Sequence, residues 1–228
     1  MSFDPVMPPY NSSDPTARFL SSSCLDFLLI ELVPMAYRVT NELEAVAREQ
    51  ELLQEGGGGG NVTGPEGTAA AGGTNGAAEA PVVMDEQEER EAVFWRLEKI
   101  GYRVGQGLVE RPPMDRFSRD RPRFNDTLDV IKFLCKDLWT LVFRKQVDNL
   151  KTNHRGVYVL TDNSFRPFSR MSAEVGSQAV IRAQPFLWFP CGIVRGALAA
   201  LGITATVHAE TTELPGAVFQ IKTVSSKP

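Results

Sequence analysis

The chain has 228 residues, of which 43% are apolar and 23% charged, and a formal net charge of -4. These values are typical of a soluble intracellular globular protein, and they exclude collagen, a disulfide scaffold and a wholly disordered chain. Charged residues interrupt every apolar run before it reaches the roughly 18 to 20 residues of a membrane-spanning helix, so we expect no such helix.

The first 21 residues are predicted to be a flexible N-terminus. The stretch 1–11 contains no basic residue before an apolar run, so it does not have the pattern of a secretory signal. The first basic residue is Arg18, which also argues against a mitochondrial presequence.

Two amphipathic helices are predicted in the N-terminal half. The first covers residues 24–37, where Pro34 is expected to kink or divide it. The second begins at the acidic run 85–89, which suits a helix N-terminus, and ends at Gly101. Their apolar faces are formed by Leu25, Leu28, Leu29 and Leu32 in the first helix and by Val93, Phe94, Leu97 and Ile100 in the second.

A Gly/Ala-rich insertion separates these helices. Residues 56–80 contain ten Gly and six Ala, a composition that buries too little apolar surface to offset its conformational entropy. We therefore expect a disordered loop at about 56–84 inside a single domain that extends from 22 to 224.

The third helix is predicted to be the longest, at 126–150, with Asn125 or Asp126 as its N-cap. Apolar residues occupy most of its circumference, so we expect a sheet on one side and helices or a partner chain on another. A hairpin is predicted from strands at 157–160 and 165–168, followed by a helix at 191–201 and strands at 203–209 and 218–224. This order predicts an α+β domain with an antiparallel sheet.

The sequence contains no recognisable catalytic, cofactor or metal-binding motif. The glycines of the segment 104–107 lack the third glycine of a dinucleotide fingerprint and are predicted to form a turn. His154 and His208 have no cysteine or carboxylate at zinc-ligand spacing around them. Cys24, Cys135 and Cys191 form no CxxC motif, so we interpret all three as free thiols in the core.

Charge is distributed unevenly, with a net charge of -11 over 1–100 and +7 over 101–228. The five arginines of 111–123 would suit the phosphates of lipid or nucleic acid, but the interleaved Asp115 and Asp120 favour a solvated or partner-facing loop. The surplus of apolar helix surface then favours an assembly subunit.

Five blocks of the sequence resemble the small-subunit family of the transport protein particle (TRAPP), most closely its subunit-6 type. They are GYRVGQGLVER at 101–111, KFLCKDLW at 132–139, QVDNLKTN at 146–153, GVYVL at 156–160 and CGIVRG at 191–196. The resemblance covers about 22–50 and 86–224.

The resemblance implies an α/β plait, in which helices pack on one face of a twisted four-stranded antiparallel sheet. It also implies a non-catalytic scaffold, paired through its helices with the acylated paralogous small subunit, in a complex that catalyses nucleotide exchange on Rab GTPases. That complex acts in ER-to-Golgi and Golgi traffic, so the chain is expected in the cytoplasm, peripheral to Golgi and endoplasmic reticulum membranes.

Two residue-level expectations accompany the resemblance. The acylated cysteine of the paralogues corresponds to Arg121, three residues before Phe124, so we expect no lipid modification of this chain. We also hypothesise that the dimer face consists of Leu25, Leu28, Leu29, Leu32, Val93, Phe94, Leu97 and Ile100. Arg195 is interpreted as structural, with contact to a partner as the alternative.

Two other functions remain open at the level of sequence. One is a stand-alone sensor domain for a small molecule or an acyl chain, which this fold class could host. The other is a nucleic-acid binder that uses the arginines of 111–123.

Overall fold

The structure, a computed structural model, describes residues 21–55, 85–110, 124, 126–153, 155–171 and 177–224. The expected N-terminus, the Gly/Ala-rich insertion, the arginine segment 111–123 and His154 lie outside these described residues.

Two long helices open the fold. Helix α1 is Ser22–Glu55 and α2 is Glu86–Glu110. Of the two outcomes predicted at Pro34, division of the helix is wrong and a kink stays a prediction; buried Val33 and Ala36 hold the chain against the core on both sides of the proline. The predicted stop at Gly101 is also wrong, since the helix continues for nine residues beyond this glycine.

The third helical region is shorter than predicted and has three parts. Helix α3 is Thr127–Phe133, a π-helical turn follows at Leu134–Leu138, and α4 is Trp139–Phe143. Asp126 is the N-cap, as expected, and its Oδ1 accepts the N–H of Asp129 at 2.8 Å. The region ends at Arg144, whose φ of 64° is left-handed, so α1 and not this region is the longest helix.

The last two residues of that predicted helix, Asn149 and Leu150, instead belong to the first strand of a sheet. Strands β1 (Asn149–Thr152), β2 (Val157–Asp162), β3 (Ala205–Glu210) and β4 (Ala217–Thr223) form a four-stranded sheet in the order β1-β2-β4-β3. Every neighbouring pair is antiparallel. The predicted α+β class with a four-stranded antiparallel sheet is confirmed.

The predicted hairpin between 157–160 and 165–168 is wrong. Strand β2 pairs with β1 and β4, whereas Arg166–Phe168 forms a 3-10 turn. Pro167 has no N–H to donate to a neighbouring strand, and buried Phe165 and Phe168 hold this turn against the core.

A helical region also connects β2 to β3. It consists of α5 (Ser177–Ala183), a 3-10 turn (Gln184–Leu187) and α6 (Trp188–Ala200). Helix α5 was not predicted from the sequence, and α6 begins three residues before the predicted start at Cys191. Pro190 lies in the first turn of α6, where its missing N–H breaks no intrahelical hydrogen bond.

One face of the sheet and the inner sides of the helices enclose a single core. Tyr158, Leu160, Phe219 and Ile221 alternate along β2 and β4 on the buried face. The ring of Trp139 lies across this layer, 5.0 Å from that of Phe219 between centroids. No described helix is both long enough and apolar enough to cross a membrane.

Candidate partner interface on helices α1 and α2

Four glycines fix the position of α2 against α6. Gly101 and Gly105 of α2 face the main chain of α6, and Gly192 and Gly196 of α6 face the main chain of α2. A Cβ atom at any of the four would lie 2.0 to 2.2 Å from a carbonyl oxygen of the opposite helix. The glycines predicted to end α2 or form a turn therefore serve helix packing instead.

A partly buried ion pair, with Glu98 as its buried member, lies beside this crossing. Arg195 forms an ion pair with Glu98, and its Nη2 donates to Oε2 of Glu98 at 2.8 Å. The Arg195 guanidinium also lies over the ring of Tyr102, 4.9 Å from its centroid. Burial raises the pKa of Glu98, and the charge and hydrogen bond of Arg195 oppose that rise. Within this chain, Arg195 acts as a structural residue.

Polar contacts tie α1 to the rest of the chain at two places. Near its N-terminus, Oδ1 of Asp26 accepts Nε–H of Arg166 at 3.0 Å, and its Oδ2 lies 3.3 Å from Arg170. Farther along, Oγ1 of Thr40 accepts Nε–H of Arg96 in α2 at 3.2 Å. Thr40 is also the last buried residue of α1 among those whose side chains are described, which end at 53.

The predicted interface residues divide into three groups. Leu29, Leu32, Val93 and Leu97 are buried in the core of this chain. Leu25, Phe94 and Ile100 are partly buried and pack against that core. Leu28 is 54% exposed. The interface itself remains a prediction, and on this chain only the last two groups offer surface to a partner.

A larger set of exposed apolar residues on the same two helices was missed from the sequence. On α1 and α2, ten large apolar side chains are at least 36% exposed: Phe27, Leu28, Ile30, Met35, Leu43, Val46, Leu52, Leu53, Trp95 and Val104. Only one apolar stripe was predicted along α1. The apolar residues off that stripe, such as Phe27 and Ile30, were the signal that a second face needs covering.

The second part of α1 is largely exposed to solvent from 41 to 53. No side chain between 41 and 53 is buried, although these residues continue the helix for about 20 Å. We call residues 41–55 the α1 extension. A helical segment of this length gains little stability in water without packing contacts. A partner that covers Leu43 and Val46 would supply such contacts.

Two open grooves run along α2. The first, of about 580 Å³, has Phe94 and Trp188 among its lining residues, in edge-on contact, together with acidic residues from the start of α2. The second, of about 400 Å³, is lined by Ala92, Trp95, Arg96, Lys99, Ile100 and Arg103. Charged and apolar side chains mix in both grooves, as they do in surfaces that bind other proteins.

The thiols and imidazoles form no catalytic centre in the described part of the chain. Burial raises the pKa of Cys135 to about 12 and that of Cys191 well above its ordinary value, so both thiols stay protonated. Cys24 is exposed, which corrects the prediction that all three cysteines are core residues. His208 is exposed on β3, and the described residues contain no cluster of three or more potential metal ligands.

Comparisons with known proteins agree with this architecture. A family model described as transport protein particle (TRAPP) component matches residues 25–224. The chain belongs to the TRAPP component family.

Relatives within the TRAPP family support the subunit-6 type. The chain is 53% identical over 126 residues to trafficking protein particle complex subunit 6b of Danio rerio, covering 55% of this chain and 76% of the relative. It is 52% identical to human subunit 6B, with 55% and 75% covered, and 50% identical to human subunit 6A, with 55% and 74% covered.

A solved TRAPP structure shares the fold. Subunit 3 of the trafficking protein particle complex from Naegleria fowleri, covalently bound to palmitic acid, matches with a TM-score of 0.50 at 15% identity. The match covers 60% of this chain and 82% of that one. The chain is thus a component of a multi-subunit complex of vesicle transport, and other TRAPP subunits are its partners.

Proposed function

We propose that this TRAPP component is a non-catalytic scaffold that forms a heterodimer with the acylated paralogous small subunit. The complex that contains this pair then catalyses nucleotide exchange on a Rab GTPase in ER-to-Golgi and Golgi traffic. In this proposal the chain reaches Golgi and endoplasmic reticulum membranes only as part of the complex, and other subunits form the exchange surface.

The observation that carries this proposal is the exposed apolar surface of α1 and α2. Ten large side chains at least 36% exposed on two adjacent helices form more apolar surface than scattered single residues do. Exposed apolar side chains in this number on two adjacent helices favour a protein interface. The α1 extension adds a helical segment that needs packing partners.

Burial within the chain refines which residues face the partner. Leu28, Phe94 and Ile100 of the predicted set retain accessible surface, and Leu43 and Trp95 extend that surface along the two helices. Leu97 is fully buried, so a charge at this position would damage the fold of this chain before it affected pairing.

A scaffold role is favoured over catalysis by the chemistry of the described side chains. The buried thiols are held protonated, and the buried Glu98 is paired with Arg195. Neither arrangement provides a nucleophile next to a general base.

Size-exclusion chromatography with light scattering tests the proposal. The full chain mixed with the acylated paralogue is expected to elute as a 1:1 heterodimer. The double variant Leu28→Asp, Leu43→Asp is expected to remain folded and lose the heterodimer, because both side chains are exposed in the single chain.

The matched control is Ile181→Asp with Val224→Asp, which places two charges at exposed apolar positions outside α1 and α2. It is expected to bind the paralogue as the parent chain does. A parent chain that stays monomeric beside the paralogue would overturn the proposal. Native mass spectrometry of that monomer would then test the sensor alternative through a retained ligand.

A further inference from the structure

The outer face of α2 carries a basic strip, which we define as Arg96, Lys99 and Arg103. The spacing of three and four residues places these cations on one side of the helix. Trp95 and Ile100 lie among them, and all five residues line the groove of about 400 Å³. Trp95 is 60% exposed, so the strip combines positive charge with an uncovered aromatic surface.

The charges of the basic strip have no acidic counterpart in the described residues. No described carboxylate lies within 4.0 Å of the charged groups of Lys99 or Arg103, and Arg96 donates to the hydroxyl of Thr40. The arginines of α1 differ, because Arg38 pairs with Glu31 and Arg48 with Glu44.

We propose that the basic strip is the docking site for an acidic amphipathic helix of the paralogous small subunit. The inference rests on the heterodimer proposed above and names the chemistry of the partner at that interface. Carboxylates of the partner helix would lie against Lys99 and Arg103, and an apolar stripe would cover Trp95 and Ile100.

Two observations favour a helix as the occupant. From Ala92 to Arg103 the groove follows α2 for about 17 Å, which corresponds to about three turns of a second helix. The strip also lies on α2, one of the two adjacent helices that carry the exposed apolar residues, so one partner can cover both surfaces. Opposite charges across such an interface select the partner and speed its association.

One segment of this chain has the acidic and apolar composition expected of such a helix. Between 42 and 51 the α1 extension carries four glutamates, one arginine, and the exposed Leu43 and Val46. A second copy of the chain therefore has suitable chemistry as well. The test has to distinguish the paralogue from a second copy and from an anionic membrane.

The decisive experiment compares the dissociation constant for the acylated paralogue in two charge-reversal variants of the full chain. One is Lys99→Glu with Arg103→Glu. The control is Lys151→Glu with Lys222→Glu, which changes the net charge equally at two exposed positions on the sheet strands β1 and β4. Circular dichroism verifies that both variants are folded.

We expect the strip variant to bind at least about tenfold more weakly at low salt, near 50 mM, and this loss to shrink at about 500 mM because salt screens exposed charges. The control is expected to stay within about twofold of the parent chain at both salt concentrations. The neutral variant Lys99→Gln, Arg103→Gln is expected to fall between the two.

Four outcomes would overturn the inference. If the strip and control variants bind the paralogue equally well, the strip is not part of the interface, although the heterodimer itself is unaffected. If the parent chain does not bind the paralogue, both proposals are wrong. A dimer of the chain with itself that persists beside the paralogue and is lost in the strip variant would identify a second copy as the occupant. If the strip variant no longer sediments with vesicles of phosphatidylcholine and phosphatidylserine but still binds the paralogue, the occupant of the strip is an anionic membrane.

Discussion

Gly196 of α6 lies directly against the main chain of Tyr102 in α2, and a Cβ atom at this glycine would be 2.0 Å from the Tyr102 carbonyl oxygen. Gly101, Gly105 and Gly192 make the equivalent contact at the same crossing. The two helices therefore meet main chain to main chain. This contact fixes the position of α2 and, with it, which side of α2 faces outward.

We predict that Gly196→Ala destabilises the chain by about 3 kcal/mol, because the added methyl group meets backbone that cannot move aside without separating the helices. Chemical unfolding followed by circular dichroism measures this change. The matched control is Gly107→Ala in α2, where nothing lies within 4 Å of the added atom. This control should gain about 0.5 to 1 kcal/mol from helix propensity, and a neutral Gly196→Ala would contradict the close crossing.

The ion pair between Glu98 and Arg195 predicts that the stability lost by removing Arg195 depends on whether Glu98 still carries a carboxylate. Arg195→Met leaves the carboxylate of Glu98 buried without a cation, so we expect a loss of about 1 to 3 kcal/mol at pH 7. Adding Glu98→Gln should recover part of that loss, because no buried charge remains. Urea unfolding of both single variants and the double variant measures the coupling, and strictly additive effects would contradict it.

The same variant has a defined pH dependence. Burial raises the pKa of Glu98, and removal of Arg195 takes away the interaction that opposes this rise. A carboxyl group with a raised folded-state pKa stabilises the fold most when protonated, below its unfolded pKa, and that contribution is lost as pH rises through the folded pKa. The deficit of Arg195→Met should therefore shrink on acidification, measured as the difference in unfolding free energy from the parent chain.

The carboxyl group of Asp148 has a pKa shifted in the opposite direction, so its effect on stability has the opposite pH dependence. Asp148 accepts Nζ–H of Lys145 at 2.8 Å and the backbone N–H of Asn163 at 2.7 Å, and these two hydrogen bonds lower its pKa. Its stabilising contribution is thus present above the unfolded pKa, near 4, and is lost as pH falls through the lower folded pKa.

We predict that Asp148→Asn destabilises the chain at pH 7 by about 0.5 to 1 kcal/mol, a value reduced because this carboxylate is solvent-accessible. The difference from the parent chain should diminish toward pH 3. Thermal unfolding across this pH range measures the change. The control is Glu213→Gln, which removes one exposed negative charge at a position that forms no ion pair with any described residue, so it isolates the effect of net charge.

The cysteines should differ sharply in reactivity. Burial raises the pKa of both Cys135 and Cys191, whereas Cys24 is exposed. A thiol-specific reagent such as Ellman's reagent should modify one thiol of the native chain rapidly and all three in denaturant. The variant Cys24→Ser should lose the rapid phase. A rapid phase that persists in this variant would contradict the buried positions of the other two thiols.

Local sequence signals predicted part of this fold well. The helical spacing on either side of the insertion and the N-cap at Asp126 are encoded by neighbouring residues, and both helices and the cap are present. The α+β class and the antiparallel sheet followed from the order of the elements, because few topologies are compatible with that order. The family resemblance followed from five blocks in the correct order and is confirmed by the family match.

The errors arose where distant residues override local preference. Gly101 ends a helix by propensity, but the close contact with α6 stabilises the continued helix. The predicted third helix ends at Leu150, yet the backbone of Asn149 and Leu150 pairs with β2. The cost of Pro34 is outweighed by the burial of its neighbours in α1.

For the candidate interface too, some features could be predicted from the sequence and others required the tertiary structure. The sequence by itself determined that α1 and α2 are amphipathic helices with more apolar surface than one core requires, because composition and spacing are local properties. Only the tertiary structure decided that Leu97 is enclosed by the chain while Leu28 and Trp95 remain exposed. Which side of a helix faces outward depends on the packing of all its neighbours, here the glycine crossing with α6, and helical periodicity alone carries no information about that orientation.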